Sequence, residues 1–421
     1  MRVGAKDMAA VPAGPPDGVL VVGWKAKAIK ALTRHGTPVT SVVAPEEAAK
    51  CRKLGLGRTL VAGDPTRAED VAAVLARNGC SAADFAVVCS PQELTVLTAA
   101  LLGAPAGNSA IGLSASLALR DKAVQKAAVR AAGLPVADCH VVAHTSELAR
   151  VGARGPVVVK PISGAGSADT YRVDSAEAGS ALAERLTEQG LHGPWLVEEF
   201  VDGTEMQVDG VVRAGELLFL SVSRYLNNLI HIHDGGLVGA ASLAPTAHRD
   251  LYDRVRALTR DALDAIGLVD GVFHLEIFTS PEGIVFSECG GRVGGALTDE
   301  MLRHRFGVDI YDEWARAVLA LPSALASPET DPGDSVGYVH LTTRPGRVVS
   351  VPTHEELAAR PGVLHAELDI RVGDLVEDLT VSSHLRAARV VVRGASDLSV
   401  AEDLRSLSQW FEQATVIDPV S

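Results

Sequence analysis

Two glutamates stand in short apolar runs in the second half of the chain. Glu276 interrupts Val272-Phe273-His274-Leu275-Glu276-Ile277-Phe278, and Glu288 interrupts Gly283-Ile284-Val285-Phe286-Ser287-Glu288-Cys289. A carboxylate among apolar side chains is costly to bury unless something pairs with it. A divalent metal is one such partner, and Mg²⁺ is usually held by one or two carboxylates together with substrate phosphates. Gly290-Gly291-Arg292 follows the second glutamate at once, which asks for a phosphorylated substrate. The plain alternative is a two-sided sheet with one wet face. A slip of one residue between the two strands would send the carboxylates to opposite faces.

Other segments have chemistry that fits a nucleotide. Val157-Val158-Val159-Lys160-Pro161 reads as a strand that delivers a lysine, and Ser163-Gly164-Ala165-Gly166-Ser167 follows as a small loop. Gly164 and Gly166 let backbone N–H groups approach a phosphate closely, with Lys160 as a point charge. An ordinary surface hairpin explains such a loop equally well. Trp195 to Phe200 is a strand that ends in Glu198 and Glu199, whose backbone edges suit an adenine; Glu205 could accept hydrogen bonds from ribose hydroxyls. Lys122 lies on a helix, where an Arg-Asp-Lys run is commonly a solvated face. The segment from Ser223 to Gly236 is dense in polar groups and is the expected substrate loop, with Arg224, His231 and His233 as contacts. Its His-x-His has no further Cys or His ligand nearby in sequence, which argues against a zinc site. His274 shares a strand face with Glu276 and either touches substrate or is a satisfied core histidine.

These pieces need a scaffold. The 421 residues are 47% hydrophobic and 22% charged, which suits a globular enzyme of two to four domains. A formal net charge of −13 argues against a nucleic-acid partner. The five cysteines are scattered, with no Cys-x-x-Cys pair, so neither a disulfide framework nor zinc is indicated and a cytoplasmic location is expected. No run approaches the length of a membrane span, so no membrane partner is expected. Residues 1–16 read as a flexible leader.

From Gly18 to Pro105 apolar strands (Val19–Gly23, Val39–Val43, Thr59–Ala62, Phe85–Cys89) alternate with helices, the pattern of a parallel sheet covered on both faces. The absence of Gly-x-Gly-x-x-Gly rules out the dinucleotide fingerprint. Ser114 to Ala132 is expected as one helix, Met206–Val212 and Glu216–Val222 as a hairpin, Leu251–Ile266 as a long amphipathic helix and Ala296 to Leu321 as another helix. A Ser/Pro/Asp-rich boundary at Pro322 to Gly333 precedes a β-rich tail.

In this order the pieces resemble the ATP-grasp superfamily over nearly the whole chain, and most of all the L-amino acid ligases (dipeptide synthases) and carnosine-synthase-like ligases. The resemblance implies an α/β protein, α+β in the grasp domains. Its parts are an N-terminal parallel-sheet domain (17–113), a lid region (114–202), a core with the metal site (203–325) and a small C-terminal domain (334–421). It implies that Lys122 and Lys160 bind ATP phosphates and that Ser163, Gly164, Gly166 and Ser167 close over them. Glu198, Glu199, Phe200 and Val201 would meet adenine, and Glu205 the ribose. Glu276 and Glu288 would hold two Mg²⁺ ions, with Mn²⁺ as a substitute. Arg292, Gly294 and Gly295 would steady the reacting acyl group. Where many relatives have asparagine two residues after the second glutamate, this chain has Gly290, so a third metal ligand is missing from the pattern. The implied activity is ADP-forming amide synthesis on small amino-acid-like substrates, by a chain that associates, if at all, as a homodimer. A carboxylase or purine-pathway ligase of the same fold, or a ligase acting on a carrier protein, is the alternative.

Overall fold

A computed structural model of the chain describes residues 18–166, 168–325, 333–379 and 385–419. They divide into two compact units between Leu113 and Ser114. The first unit alternates strand and helix: β1 (Val19–Val22), α1 (Ala26–Arg34), β2 (Val39–Val43), α2 (Pro45–Leu54), β3 (Arg58–Val61), α3 (Ala68–Arg77), β4 (Val87–Cys89) and α4 (Val96–Gly103). The strands form a parallel sheet in the order β3-β2-β1-β4. All of β1 is buried, as an apolar strand covered on both faces must be. The sequence reading did not include α2. Its signals are Pro45 in the first turn and Gly55, left-handed at φ 68°, past the end.

The boundary falls after the first residue of α5 (Leu113–Arg120), and α6 (Lys122–Ala131) follows as a separate helix, so Ser114 to Ala132 is not one helix. Asp121 leaves helical geometry and its carboxylate accepts from the N–H groups of Ala123 (2.8 Å) and Val124 (3.0 Å), capping a new helix. Strands β5 (Cys139–Val142), β6 (Val157–Pro161), β7 (Tyr171–Val173) and, after helix α7 (Ala176–Glu188), β8 (Trp195–Glu199) make an antiparallel sheet in the order β5-β8-β6-β7. Leu148, Val159, Leu182, Leu186 and Trp195 fill the space between this sheet and α7.

The long hairpin β9 (Thr204–Arg213) and β10 (Glu216–Tyr225) is followed by β11 (Gly239–Ser242), α8 (Arg249–Ile266), β12 (Gly271–Ser280) and β13 (Gly283–Gly290). The segment expected as one helix up to Leu321 is two, α9 (Thr298–Phe306) and α10 (Ile310–Val318). Gly307 ends the first in left-handed geometry, and the Asp309 carboxylate caps the second at the Asp312 N–H (3.0 Å). Then come β14 (Ser335–Leu341), β15 (Gly346–Ser350), α11 (His354–Ala358), β16 (Val363–Leu368), β17 (Leu375–Val376), β18 (Ala388–Gly394), α12 (Asp397–Ala414) and β19 (Val416–Asp418). Three of these C-terminal strands join the hairpins in one antiparallel sheet, β13-β12-β9-β10-β11-β14-β18-β16, while β17-β15-β19 form a small sheet of their own. Helix α12 packs on β11, β14 and β18 through Val400, Leu404 and Phe411.

Candidate active site

The two glutamates are brought together by a bulge. Near the turn Ser280 opposes Gly283 and Ile277 opposes Phe286. Continued without interruption, that ladder would set Glu276 against Ser287 and Glu288 on the far face. Ser287 is instead left over as an extra residue, and Glu276 directly opposes Glu288. Both carboxylates therefore stand on one face of the sheet. The same face of β9 carries Glu205, Gln207 and Asp209, opposite Phe278, Glu276 and His274 respectively.

A cleft of about 1320 Å³, counted out to open solvent, lies over this face and is lined by residues of the β5-β8-β6-β7 sheet and of α6 as well. Lys122, at the start of α6, reaches Glu288 at 3.4 Å and donates to the Gly164 carbonyl at 2.9 Å. Lys160, at the end of β6, lies 3.6 Å from the other Glu288 oxygen and 2.8 Å from Glu198. Lys126, one turn beyond Lys122, closes on the second Glu198 oxygen at 3.0 Å. Gln125 locks α6 to β13, donating to the Cys289 carbonyl (2.7 Å) and accepting from the Cys289 N–H (2.8 Å). This holds the two lysines of α6 beside the end of β13.

The electrostatics follow from these contacts. Burial disfavours the Glu288 carboxylate, but Lys122 and Lys160 outweigh it and pull its pKa down to about 2. Burial works against the Glu198 carboxylate too, yet Lys160 and Lys126 hold it below the ordinary glutamate range. Burial pulls the Lys126 ammonium below the usual lysine value, opposed by Glu198. Glu205 is pushed up to about 8, first by burial and then by the neighbouring Glu276 charge.

Toward the other end of the cleft, Tyr338 donates to the Gln207 side chain (2.8 Å), whose amide donates to Asp209 (3.2 Å). His274 donates from Nδ1 to Asp209 (2.8 Å) and lies with Nε2 3.6 Å from Glu276. Burial disfavours a charged His274, but Asp209 more than compensates and raises it to about 9. Tyr225 donates to Glu276 at 3.2 Å. Arg292, Gly295 and Ala296 complete this wall, and the Arg292 guanidinium donates to the Val293 carbonyl (3.1 Å).

Of the residues read from the sequence, Lys122, Lys160, Gly164, Gly166, Glu198, Glu199, Phe200, Val201, Glu205, His274, Glu276, Glu288, Arg292 and Gly295 line this one cleft. Ser163 is exposed on the loop and is not part of the lining. Ser167 and the side chain of His233 lie outside the described residues. Three further expected residues are not among the lining of the cleft. Arg224 alternates with Tyr225 on β10, so it faces away from the cleft and pairs with Asp397 of α12 (3.2 Å). His231 is exposed beside Asp234 (3.7 Å) and is not part of the lining. Gly294 has a packing reason to be glycine, since a Cβ there would come within 2.6 Å of Asp209 and 2.9 Å of His274. Glu205 also differs from a simple ribose acceptor: its carboxylate accepts from the Leu229 N–H (2.6 Å), while Asn228 bonds the Glu205 N–H (3.0 Å) and the Gly203 carbonyl (2.7 Å). It thereby anchors the loop after β10.

The sequence reading passed over Gln125, Lys126, Gln207 and Asp209. Two signals were available. Lys126 follows Lys122 at helical i+4 spacing, and Glu205, Gln207 and Asp209 alternate at strand period. Among the described residues no group of three or more His, Cys, Asp or Glu side chains forms a metal cage. The donor set that is present, two opposed carboxylates beside two lysines, fits Mg²⁺, which completes its octahedron with water and phosphate oxygens.

The ATP-grasp domain family matches residues 153–300, the stretch holding Lys160, the Gly164–Gly166 loop, Glu198 and both glutamates. The chain is 25% identical over 310 residues to an L-arginine-specific L-amino acid ligase of Bacillus subtilis, covering 71% of this chain and 73% of that one. It is also 25% identical over 279 residues to dapdiamide A synthase of Enterobacter agglomerans, covering 62% and 64% of the two chains. In fold it is similar to the crystal structure of an L-amino acid ligase from Bacillus licheniformis, with a TM-score of 0.76 over 97% of this chain and 100% of that one at 14% identity.

Proposed function

We propose that this chain, which belongs to the ATP-grasp superfamily, is an ATP-dependent carboxylate–amine ligase joining an amino acid or amino-acid-like acid to an amine or second amino acid in specialised metabolism. The observation that carries this reading is the facing of Glu276 and Glu288 by Lys122, Lys160 and Arg292 in one cleft. In this reading residues 114–202 act as the lid region and 203–325 as the core with the metal site; 334–421 form a smaller part that shares the core's sheet. Glu276 and Glu288 would hold Mg²⁺, two ions by expectation with Mn²⁺ as a substitute, which when bound neutralises charge on the phosphate oxygens.

The chain's own residues account for positioning. Lys122 and Lys160 offer two ammonium groups to the triphosphate, and the loop of Gly164 and Gly166 lies against Lys122. A carboxylate oxygen of the acid takes the terminal phosphoryl group of ATP, giving an acyl-phosphate and ADP. The amine nitrogen then attacks the acyl carbon, the C–N bond forms, and phosphate leaves with loss of a proton from nitrogen. Arg292 has the planar fork to grip carboxylate and phosphate oxygens together. The Gly295 backbone is the candidate for the oxyanion. Holding acid, nucleotide and amine in one cleft makes each step effectively unimolecular. We place the enzyme in the cytoplasm, acting on small molecules as a homodimer; among the described residues no helix is long and apolar enough to cross a membrane. Screening amino-acid pairs for phosphate release tests the activity. Chromatography of the spent nucleotide should show ADP; stoichiometric AMP and pyrophosphate would overturn the mechanism.

A further inference from the structure

Lys126 is among the largest fully buried side chains of the described residues, at 1% exposure. A buried ammonium is expensive even when paired. It lies one helical turn from Lys122 and lines the same cleft, but its ion-pair contact is with Glu198 and not with Glu288. Its partner is Glu198, whose two oxygens are divided between Lys126 (3.0 Å) and Lys160 (2.8 Å). Five charges thus alternate along one line: Lys126, Glu198, Lys160, Glu288 and Lys122. Three ammonium groups against two carboxylates leave a net charge of +1.

Resting on the nucleotide site described above, we propose that Lys126 is a positioning residue that neutralises Glu198 from behind and so leaves the Lys160 charge available to ATP. Without Lys126, Glu198 has Lys160 as its one remaining ion-pair partner in this line. The cluster then sums to zero, and Lys160 is held back at 2.8 Å from Glu198. Removing Glu198 as well returns the sum to +1. Nucleotide affinity should follow this sum rather than the presence of Lys126 itself.

The test is MgATP binding by calorimetry, with melting temperature on the same samples, for wild type, Lys126→Met, Lys126→Arg and the double variant Lys126→Met/Glu198→Gln. Methionine is one atom shorter, unbranched and uncharged. Lys126→Met should bind MgATP about tenfold or more weakly, the size expected for one unit charge a few ångströms away at an intermediate dielectric. Lys126→Arg should recover most of the loss. The double variant should bind MgATP more tightly than Lys126→Met, because removing the Glu198 charge releases Lys160, while any adenine contact of Glu198 keeps it weaker than wild type. A folded Lys126→Met with wild-type affinity would overturn the proposal, as would a double variant no tighter than the single one. If Lys126→Met does not fold, Lys126→Gln takes its place under the same two criteria. Failure of the wild-type chain to bind MgATP would instead overturn the ATP-grasp reading on which the proposal rests.

Discussion

Replacing Glu288 with glutamine removes one carboxylate from the charge line, between Lys160 and Lys122, and leaves the side-chain shape nearly unchanged. Lys122 at 3.4 Å and Lys160 at 3.6 Å lower its pKa from 4.5 to about 2. At 1.36 kcal/mol per unit this is worth up to about 3 kcal/mol of folded-state stability. The value is an upper bound, because 23% of the side-chain surface is exposed and solvent screens part of the interaction. The sign follows from the direction of the shift. A carboxylate with a depressed pKa stabilises the fold above its unfolded value of 4.5 and loses that contribution as pH falls toward about 2. Wild type should therefore lose stability steeply over this interval, and Glu288→Gln should show a flatter acid limb. At pH 7 the variant should be the less stable protein, with the difference closing near pH 2. Thermal unfolding of both proteins between pH 2.5 and 7 measures this. ATP turnover, assayed at pH 7 on the same samples, should fall on the order of 10²-fold or more, since even outer-shell metal partners are worth 10–100-fold. An unchanged acid limb would refute the electrostatic argument. Near-normal phosphate release by the folded variant would refute the metal assignment.

Arg292→Lys should keep MgATP binding largely intact but slow amide formation about 10²-fold, because an ammonium cannot copy the planar fork; an early-melting variant with wild-type turnover per folded molecule would make Arg292 a structural residue only. Backbone amides of residues 163–166 should exchange more slowly with an ATP analogue plus Mg²⁺ than without, and equal rates would count against a closing loop. Gly294→Ala should destabilise by about 1–3 kcal/mol, since its Cβ would crowd Asp209 and His274, whereas Gly295→Ala, with no atom within 4 Å, should change stability by less than about 0.5 kcal/mol. Comparing their melting temperatures checks this, and equal melting would contradict the packing reason given for Gly294.

The residue types of the site were legible in the sequence because each is marked locally. Glu276 and Glu288 interrupt apolar runs, Lys160 ends a valine strand before a glycine loop, and Arg292 follows a Gly-Gly corner. The alternation of apolar strands and helices likewise dictated the parallel sheet of the first unit, since strands covered on both faces have no polar side. Helix ends were less legible. Asp121 and Asp309 look like ordinary helix-surface acids until their carboxylates are seen capping N–H groups two and three residues on.

What only the tertiary structure decided is phase and partnership. Strand period is two, so one extra residue inverts every face beyond it. The bulge at Ser287 is that residue, and it alone puts Glu288 on the face of Glu276. The same period turned Arg224 away from the cleft toward Asp397, 173 positions on in the chain. Glu198 stands in the sequence beside Glu199 with nothing to distinguish them, yet one is buried between two lysines and the other is exposed. Local pattern determines which side chains can carry charge. Which charges meet depends on contacts between segments far apart in the chain, and a low-dielectric interior then sets how strongly they are felt.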